Sequence, residues 1–340
     1  MTKNRWMAAM TLFVVVFYSF IFISNFLASK RDHVKLSAEN AQLIEKMKLK
    51  EETAQRNLLA KPTLFNALSF LLVVVLFAGV YLDGRLLLCL KQGRAWPENR
   101  LAAAEVCWGR REVAGGFVFL LFAEACFFLV QQVLHRSLHS GAESAEMWMF
   151  IAALLRDLVV AAFVWALVKA RHGRGLRDLG LRFEKKAHFI RTGLVGYVAV
   201  LPPLLLTFAV VGAALNLFSV EAPPQNVVQT FLKESTSAYL LPLTIFVALV
   251  GPILEEIFFR GFVYTGLRKR FGAWGGTAIA SAAFAALHMN GVAFLPIFIL
   301  GMFLTYLYES TGSLIPSITA HMLHNGIMVA LTLGFKSLSV

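Results

Sequence analysis

Two adjacent glutamates and an arginine stand in one of the most apolar parts of the chain, in the stretch GPILEEIFFRGFVY that begins at Gly251. Ionisable side chains are costly at membrane depth and usually face the interior of a helix bundle. On a helix, Glu256 lies one turn before Arg260, in the orientation that favours an ion pair. Glu255 is rotated by about 100° from that face. The sequence therefore predicts one neutralised carboxylate and a second that either faces water or is available to exchange protons.

Two further motifs place polar side chains inside apolar runs. FAALH puts Phe284 and His288 one turn apart, and HMLHN does the same for His321 and Asn325. Taken singly, each motif is explained as well by packing, since a lone histidine in a helix is more often a core residue with its hydrogen bonds satisfied than a catalyst. An asparagine in a span commonly makes a hydrogen bond between helices. Neither motif alone indicates chemistry.

The depth of these side chains favours a shared site. Counted from the predicted cytoplasmic turns, Glu255 and His288 each lie ~22 Å along their helices at 1.5 Å per residue. His321 and Asn325 lie at ~14 and ~20 Å along the last helix. We therefore expect three separate helices to bring these four side chains to roughly one level of the membrane.

A carboxylate, two imidazoles and an amide at one level are suited to two kinds of hydrolysis. In the first, Glu255 is the general base that takes a proton from water, with His288 orienting that water. His321 and Asn325 then stabilise the oxyanion. In the second, Glu255, His288 and His321 bind a zinc ion that activates the water. No His-Glu-x-x-His motif occurs, so the spacing does not support zinc, but on the residues alone both kinds of hydrolysis stay open.

The composition is that of a membrane protein. Of the 340 residues, 58% are hydrophobic and 15% are charged, whereas soluble domains are nearer half apolar and a quarter charged. The net charge of +12 could indicate nucleic acid as a partner. The bases instead bunch in short loops between apolar runs, as the positive-inside rule requires. We predict an all-α, polytopic transmembrane bundle of about eight or nine spans, with no nucleic-acid partner.

Apolar runs long enough to span a membrane are predicted at 6–28, 63–82, 113–134, 148–168, 192–217, 239–267, 273–290, 294–309 and 314–335. The basic loops place the N-terminus in the cytoplasm, and we predict a multi-pass protein of a bacterial inner membrane. The lysine-rich segment Lys30–Lys61 falls outside in this scheme and is predicted to form a polar amphipathic helix. Glu124, Arg156 and Asp157 are predicted to form a structural ion pair between the third and fourth spans.

The motifs EEIFFR, FAALH and HMLHN resemble, in order, those of the CPBP (CAAX protease and bacteriocin-processing, Abi) family of intramembrane peptidases. That family includes the type II CAAX prenyl endopeptidases, and the resemblance covers roughly Arg191 to the C-terminus. It implies catalytic roles for Glu255, His288, His321 and Asn325, and supporting roles for Glu256, Arg260 and Phe284. His324 matches no motif position.

We predict three parts: a transmembrane anchor with a polar amphipathic helix at 1–62, accessory transmembrane helices at 63–190, and a catalytic transmembrane core at 191–340, to which the resemblance applies. The resemblance implies a glutamate-dependent and metal-free mechanism, so we predict no cofactor and keep zinc as the alternative. We predict an intramembrane endopeptidase that cleaves within or near the cytoplasmic half of the bilayer. Its partners are the lipid bilayer and a membrane-embedded or lipid-anchored peptide or protein substrate. The alternatives are a non-catalytic bacteriocin-immunity or scaffold protein of the same fold, and a proton-coupled transporter, for which no inverted repeat is visible.

Overall fold

The computed structural model describes residues 3–92, 106–138, 142–219, 226–233 and 237–339, and these residues form helices without any strand. The helices, including two π-helical segments, are α1 (Lys3–Leu59), α2 (Pro62–Lys91), α3 (Arg110–Leu138), α4 (Ala142–His172), α5 (Lys186–Leu217), α6 (Asn226–Lys233), α7 (Ser237–Ile245), π1 (Phe246–Val250), α8 (Gly251–Glu256), π2 (Ile257–Tyr264), α9 (Thr265–Leu287), α10 (Gly291–Thr311) and α11 (Leu314–Leu338). The predicted all-α class is confirmed.

Seven of the described helices are long and apolar enough to cross a membrane. One of them, Tyr239–Leu287, has 49 residues and would be about 74 Å long if straight, more than twice the hydrocarbon thickness. It turns at Gly272, whose φ of 70° and ψ of 179° are not helical, so this run provides two crossings. With the shorter apolar stretch Met7–Phe20 of α1, the predicted count of eight or nine spans holds.

The chain forms two compact units. The first comprises Met1–Ala41 and Cys107–Gly175, and the second Gln42–Val106 and Leu176–Val340. α1 is longer than the predicted first span, because the helix continues without a break from Lys3 to Leu59. The Lys30–Lys61 segment is therefore helical almost to its end. The three-part division at 62 and 190 concerns function, which this packing does not test, and it stays a prediction.

In the first unit, α3 and α4 pack through a stacked pair of rings and an ion pair. The rings of Phe119 and Phe163 lie 3.7 Å apart. Arg156 on α4 lies 2.6 Å from Glu124 on α3 and 2.8 Å from Asp157. The predicted structural ion pair is confirmed, and it leaves the second unit as the place to look for a site.

The core of the second unit lies between α5, α10 and α11. Its buried members are Tyr197, Val200, Leu204, Leu300, Leu304, Leu307 and Ala320. Small residues let the helices approach closely, as is usual where lipid offers no hydrophobic drive between helices. A Cβ placed on Gly193 of α5 would lie only 2.5 Å from the carbonyl oxygen of Pro316 on α11. This contact holds α11, which carries the last motif, against α5.

Gly193→Ala is expected to destabilise the protein by about 1–3 kcal/mol, since overpacking against a backbone atom forces the two helices apart. Gly212→Ala on the same helix is the matched control, because no atom lies within 4 Å of its added Cβ. That control should be neutral or stabilising by about 0.5–1 kcal/mol, the usual gain of alanine over glycine in a helix. Thermal unfolding in detergent measures both, and equal midpoints for the two variants would contradict the expectation.

Candidate active site

The helix that carries GPILEEIFFRGFVY changes its hydrogen-bonding pattern on both sides of the two glutamates. π1 ends at Val250, and π2 begins at Ile257, directly after Glu256. π-helical turns are rare and often occur at functional sites. Pro252 has no N–H and its ring would clash with a carbonyl one turn earlier, which gives a reason for the wider turn before it. The helical spacing used to pair Glu256 with Arg260 thus crosses the start of a π-helical segment.

Glu256 and Arg260 form the predicted ion pair, at 2.7 Å, and both side chains are almost fully buried, with exposed fractions of 0% and 1%. The guanidinium also donates to the carbonyl oxygen of Gly301 at 3.1 Å and lies 4.5 Å from the centre of the Phe284 ring. These contacts compensate part of the cost of burying a charge. The pair is confirmed by its geometry.

His321 lies between the two carboxylates. Its Nδ1 is 3.0 Å from Oε1 of Glu256, and its Nε2 is 3.6 Å from Oε2 of Glu255. Because an ionised carboxylate only accepts hydrogen bonds, Nδ1 carries a proton and donates to Glu256. The sequence argument set Glu255 apart from the ion pair, whereas the structure connects it to that pair through His321.

Phe284 and His288 follow each other by one turn at the end of α9. Nδ1 of His288 lies 2.8 Å from the carbonyl oxygen of Phe284. A carbonyl oxygen only accepts, so Nδ1 donates, and in the neutral ring Nε2 is then an acceptor. The Phe284 ring contacts both imidazoles, with centroid distances of 4.8 Å to His288 and 5.7 Å to His321. Phe284 thus separates the two histidines at a fixed spacing.

Asn325 and His324 lie one helical turn beyond His321 on α11. The amide of Asn325 donates to the carbonyl oxygen of Val247 in π1, at 2.9 Å. Nδ1 of His324 lies 3.3 Å from the hydroxyl of Tyr197 on α5. The sequence argument left out His324. The spacing of three residues from His321 was the available signal, and it could not show a partner on α5.

These side chains line one cavity of about 360 Å³. Its polar side chains are those of Glu255, His288, His321, His324, Asn325 and Thr332. The rest of the wall is mostly apolar and comes from α5, α6, π1, α8, α9, α10 and α11. Glu255, with a third of its side chain exposed (32%), is the carboxylate of this cavity. The structure therefore brings all four side chains with predicted catalytic roles to one space, while the roles themselves stay predictions.

A metal site would need at least three ligands at suitable distances. Within the described ranges, no three His, Cys, Asp or Glu side chains are arranged to hold an ion. Both ring nitrogens of His321 already face carboxylates. Glu255, His288 and His321 are thus not such a group as they stand. No step is derived through a metal, and zinc stays an untested alternative.

The family comparison matches the same segment. Residues 237–327 match a family model described as type II CAAX prenyl endopeptidase Rce1-like. No curated protein and no solved structure matches the chain. The matched range is shorter than the predicted one, which began near Arg191, but it includes every predicted site residue: Glu255, Glu256, Arg260, Phe284, His288, His321 and Asn325.

Proposed function

We propose that the chain is a glutamate-dependent intramembrane endopeptidase, because residues 237–327 match the type II CAAX prenyl endopeptidase Rce1-like family model. Its substrate is a peptide or protein embedded in, or anchored to, the membrane. The observation that carries the proposal is the position of Glu255 in an apolar cavity, 3.6 Å from a histidine that is itself held by a buried ion pair. The multi-pass protein belongs, on this proposal, to a bacterial inner membrane with its N-terminus in the cytoplasm.

Glu255 acts as the general base. It takes a proton from a water molecule as the water oxygen bonds to the carbonyl carbon of the peptide. In an apolar cavity a carboxylate has few competing contacts with water, which strengthens its interaction with the water molecule that reacts. His288, whose Nδ1 is engaged with the backbone, accepts a hydrogen bond from the same water at Nε2. This orients the attacking lone pair.

The tetrahedral intermediate carries negative charge on the former carbonyl oxygen. Asn325 supplies its second amide N–H, the first being bonded to Val247, and His321 supplies positive potential beside it. Removing a donor of this kind typically costs a factor of about 10²–10³ in rate. Collapse of the intermediate breaks the carbon–nitrogen bond, and the proton held by Glu255 passes to the leaving amine.

Glu256 and Arg260 position His321 and do not touch the substrate. The carboxylate of Glu256 fixes the orientation of the imidazole through Nδ1, and Arg260 keeps that carboxylate charged although it is fully buried. This arrangement matches the general rule that a histidine is set by the hydrogen bond that its other nitrogen makes.

Hydrolysis is tested with purified protein in lipid vesicles, a mixture of apolar peptides and H₂¹⁸O. We expect peptide fragments whose new carboxyl terminus contains one ¹⁸O atom, because the oxygen comes from water. A scaffold or immunity protein would give no fragments. A transporter would give none either but would show proton-dependent flux. Absence of ¹⁸O in fragments that do form would exclude direct attack by water.

A further inference from the structure

The second unit has one end with many bases, which we call the basic end. α2 and α5 meet α10 there, since Asp83, Arg191 and Ser310 line one surface groove. The turn at Gly272 belongs to the same end, because Arg268 pairs at 2.6 Å with Glu309 near the end of α10. The bases gathered at this end include Arg85, Lys185, Lys186, Arg191, Lys269 and Arg270. Short basic loops stay in the cytoplasm, so this end is predicted to be the cytoplasmic one.

The site cavity lies toward the opposite end of the same helices. On α5, which starts at the basic end, its lining residues Leu204 and Phe208 are about 27 and 33 Å from Lys186. On α10, which starts at the opposite end, Ala293 is only about 3 Å from Gly291. The middle of a hydrocarbon core lies about 15 Å from either surface. The cavity therefore runs from mid-membrane to the end without the basic loops.

Packed side chains close the cavity toward the basic end. The residues that lie between the cavity and the basic end are fully buried and include Phe262, Tyr264, Leu304, Tyr308 and Leu314. Within this buried layer, the hydroxyl of Tyr264 donates to the carboxylate of Glu309 at 2.6 Å. A peptide that came from the basic end would have to displace this whole layer.

α6 forms a wall of the cavity at its open end. Val228 and Phe231 of this short helix face the cavity. Nζ of Lys336, near the end of α11, donates to the carbonyl oxygen of Phe231 at 3.0 Å. The helix is thus tied to the end of the bundle that lies away from the basic loops, and its apolar face extends the apolar wall to that surface.

The charges of the lining indicate which part of a peptide fits. Among the described residues that line the cavity, the ionisable ones are Glu255 and three histidines, and there is no Lys or Arg. A C-terminal carboxylate close to the scissile bond, as in a C-terminal C-a-a-X sequence, would therefore meet Glu255 with no Lys or Arg in the lining to offset it. Lys336 lies at the open end, where its ammonium is bonded to the carbonyl oxygen of Phe231. An internal peptide bond between apolar residues has no such cost.

We propose that the substrate is an apolar membrane peptide that enters the cavity from the non-cytoplasmic face and is cleaved at an internal bond. This inference rests on the proposed endopeptidase function. It replaces the expectation of cleavage in the cytoplasmic half, because the cavity and the basic loops lie at opposite ends of the same helices. The opposite end also carries bases, since Asn57 of α1 donates to the carbonyl oxygen of Leu338 at the end of α11. They are Arg56 and Lys61 beside this contact and Lys336 on α11. Those of α1, with Lys46, Lys48 and Lys50, belong to a long segment outside the short loops and do not set the orientation.

The orientation of the cavity is tested without any catalysis. In a variant with Cys89, Cys107 and Cys126 replaced by serine, Val227→Cys probes the cavity wall and Lys269→Cys probes the basic end. A membrane-impermeant maleimide should label Val227→Cys in right-side-out spheroplasts of the bacterial expression host, and Lys269→Cys only in inverted vesicles. The reverse pattern would overturn the inference.

The substrate class is tested in vesicles whose orientation the same labelling assigns. One probe is a set of apolar peptides with acetylated and amidated ends, and the other is the same set with a prenylated cysteine and a free C-terminal carboxylate. We expect the blocked peptides to be cleaved at least about tenfold faster, when added at the face where Val227→Cys is labelled. Preference for the prenylated set, or cleavage only from the basic end, would overturn the inference and leave the endopeptidase standing. No cleavage of either set would instead contradict the proposed function.

Discussion

Glu255→Gln is expected to lower the rate of peptide hydrolysis by about 10²–10⁴-fold, the contribution typical of a general base. Glutamine keeps the size and polarity of the side chain but cannot take a proton from water. Because Glu255 is partly exposed in the cavity, its replacement should leave the fold intact. The loss should appear in kcat, with little change in KM, since the proton is transferred only in the transition state.

Glu51→Gln is the matched control for this change. Glu51 is an exposed glutamate on α1, so the same chemical substitution there should leave both cleavage and thermal stability unchanged. The measurement combines the rate of fragment release with an unfolding midpoint in detergent for each variant. Wild-type cleavage by a folded Glu255→Gln protein would remove Glu255 from the mechanism.

Glu256→Ala is expected to destabilise the protein by about 3–5 kcal/mol, the usual cost of removing one partner of a buried ion pair. The guanidinium of Arg260, only 1% exposed, would be left without its carboxylate. His321 would lose the acceptor that fixes its ring, so activity should fall as well. Thermal unfolding in detergent and the amount of folded protein recovered measure the first effect.

A double replacement separates stability from activity. In Glu256→Leu/Arg260→Met both charges are gone, and apolar side chains of similar size often restore or improve the stability of a buried pair. We expect this protein to recover most of the lost stability and to remain poorly active, because His321 is still without its orienting carboxylate. A single Glu256→Ala variant as stable as wild type would show that the pair is not needed for the fold.

Local spacing predicted much of this site. The ion pair of Glu256 and Arg260 follows from positions four apart on a helix, and the π-helical turns on either side left that relation intact. The meeting of Glu255, His288, His321 and Asn325 followed from counting the rise per residue from predicted turns. That count succeeded because membrane helices are long and nearly straight, and because each helix was counted from a predicted turn at the membrane surface.

Other features depend on contacts between helices, which a single sequence does not show. The place of His321 between both carboxylates depends on how α11 rotates against α8, and small residues such as Gly193 set that rotation. The contact of His324 with Tyr197 joins residues 127 positions apart. The direction in which the cavity opens could not be predicted, because depth along a helix does not reveal which end is filled by other side chains.

Phe284 touches one residue from each of the three motifs, since its ring lies against Arg260, His288 and His321. Because the same ring contacts one guanidinium and two imidazoles, any movement of the ring changes all three contacts. Substitutions in different motifs are therefore not independent perturbations, and their free energies will not add. A substitution in one motif is therefore expected to change the effect of a substitution in another, because a single phenyl ring links their energies.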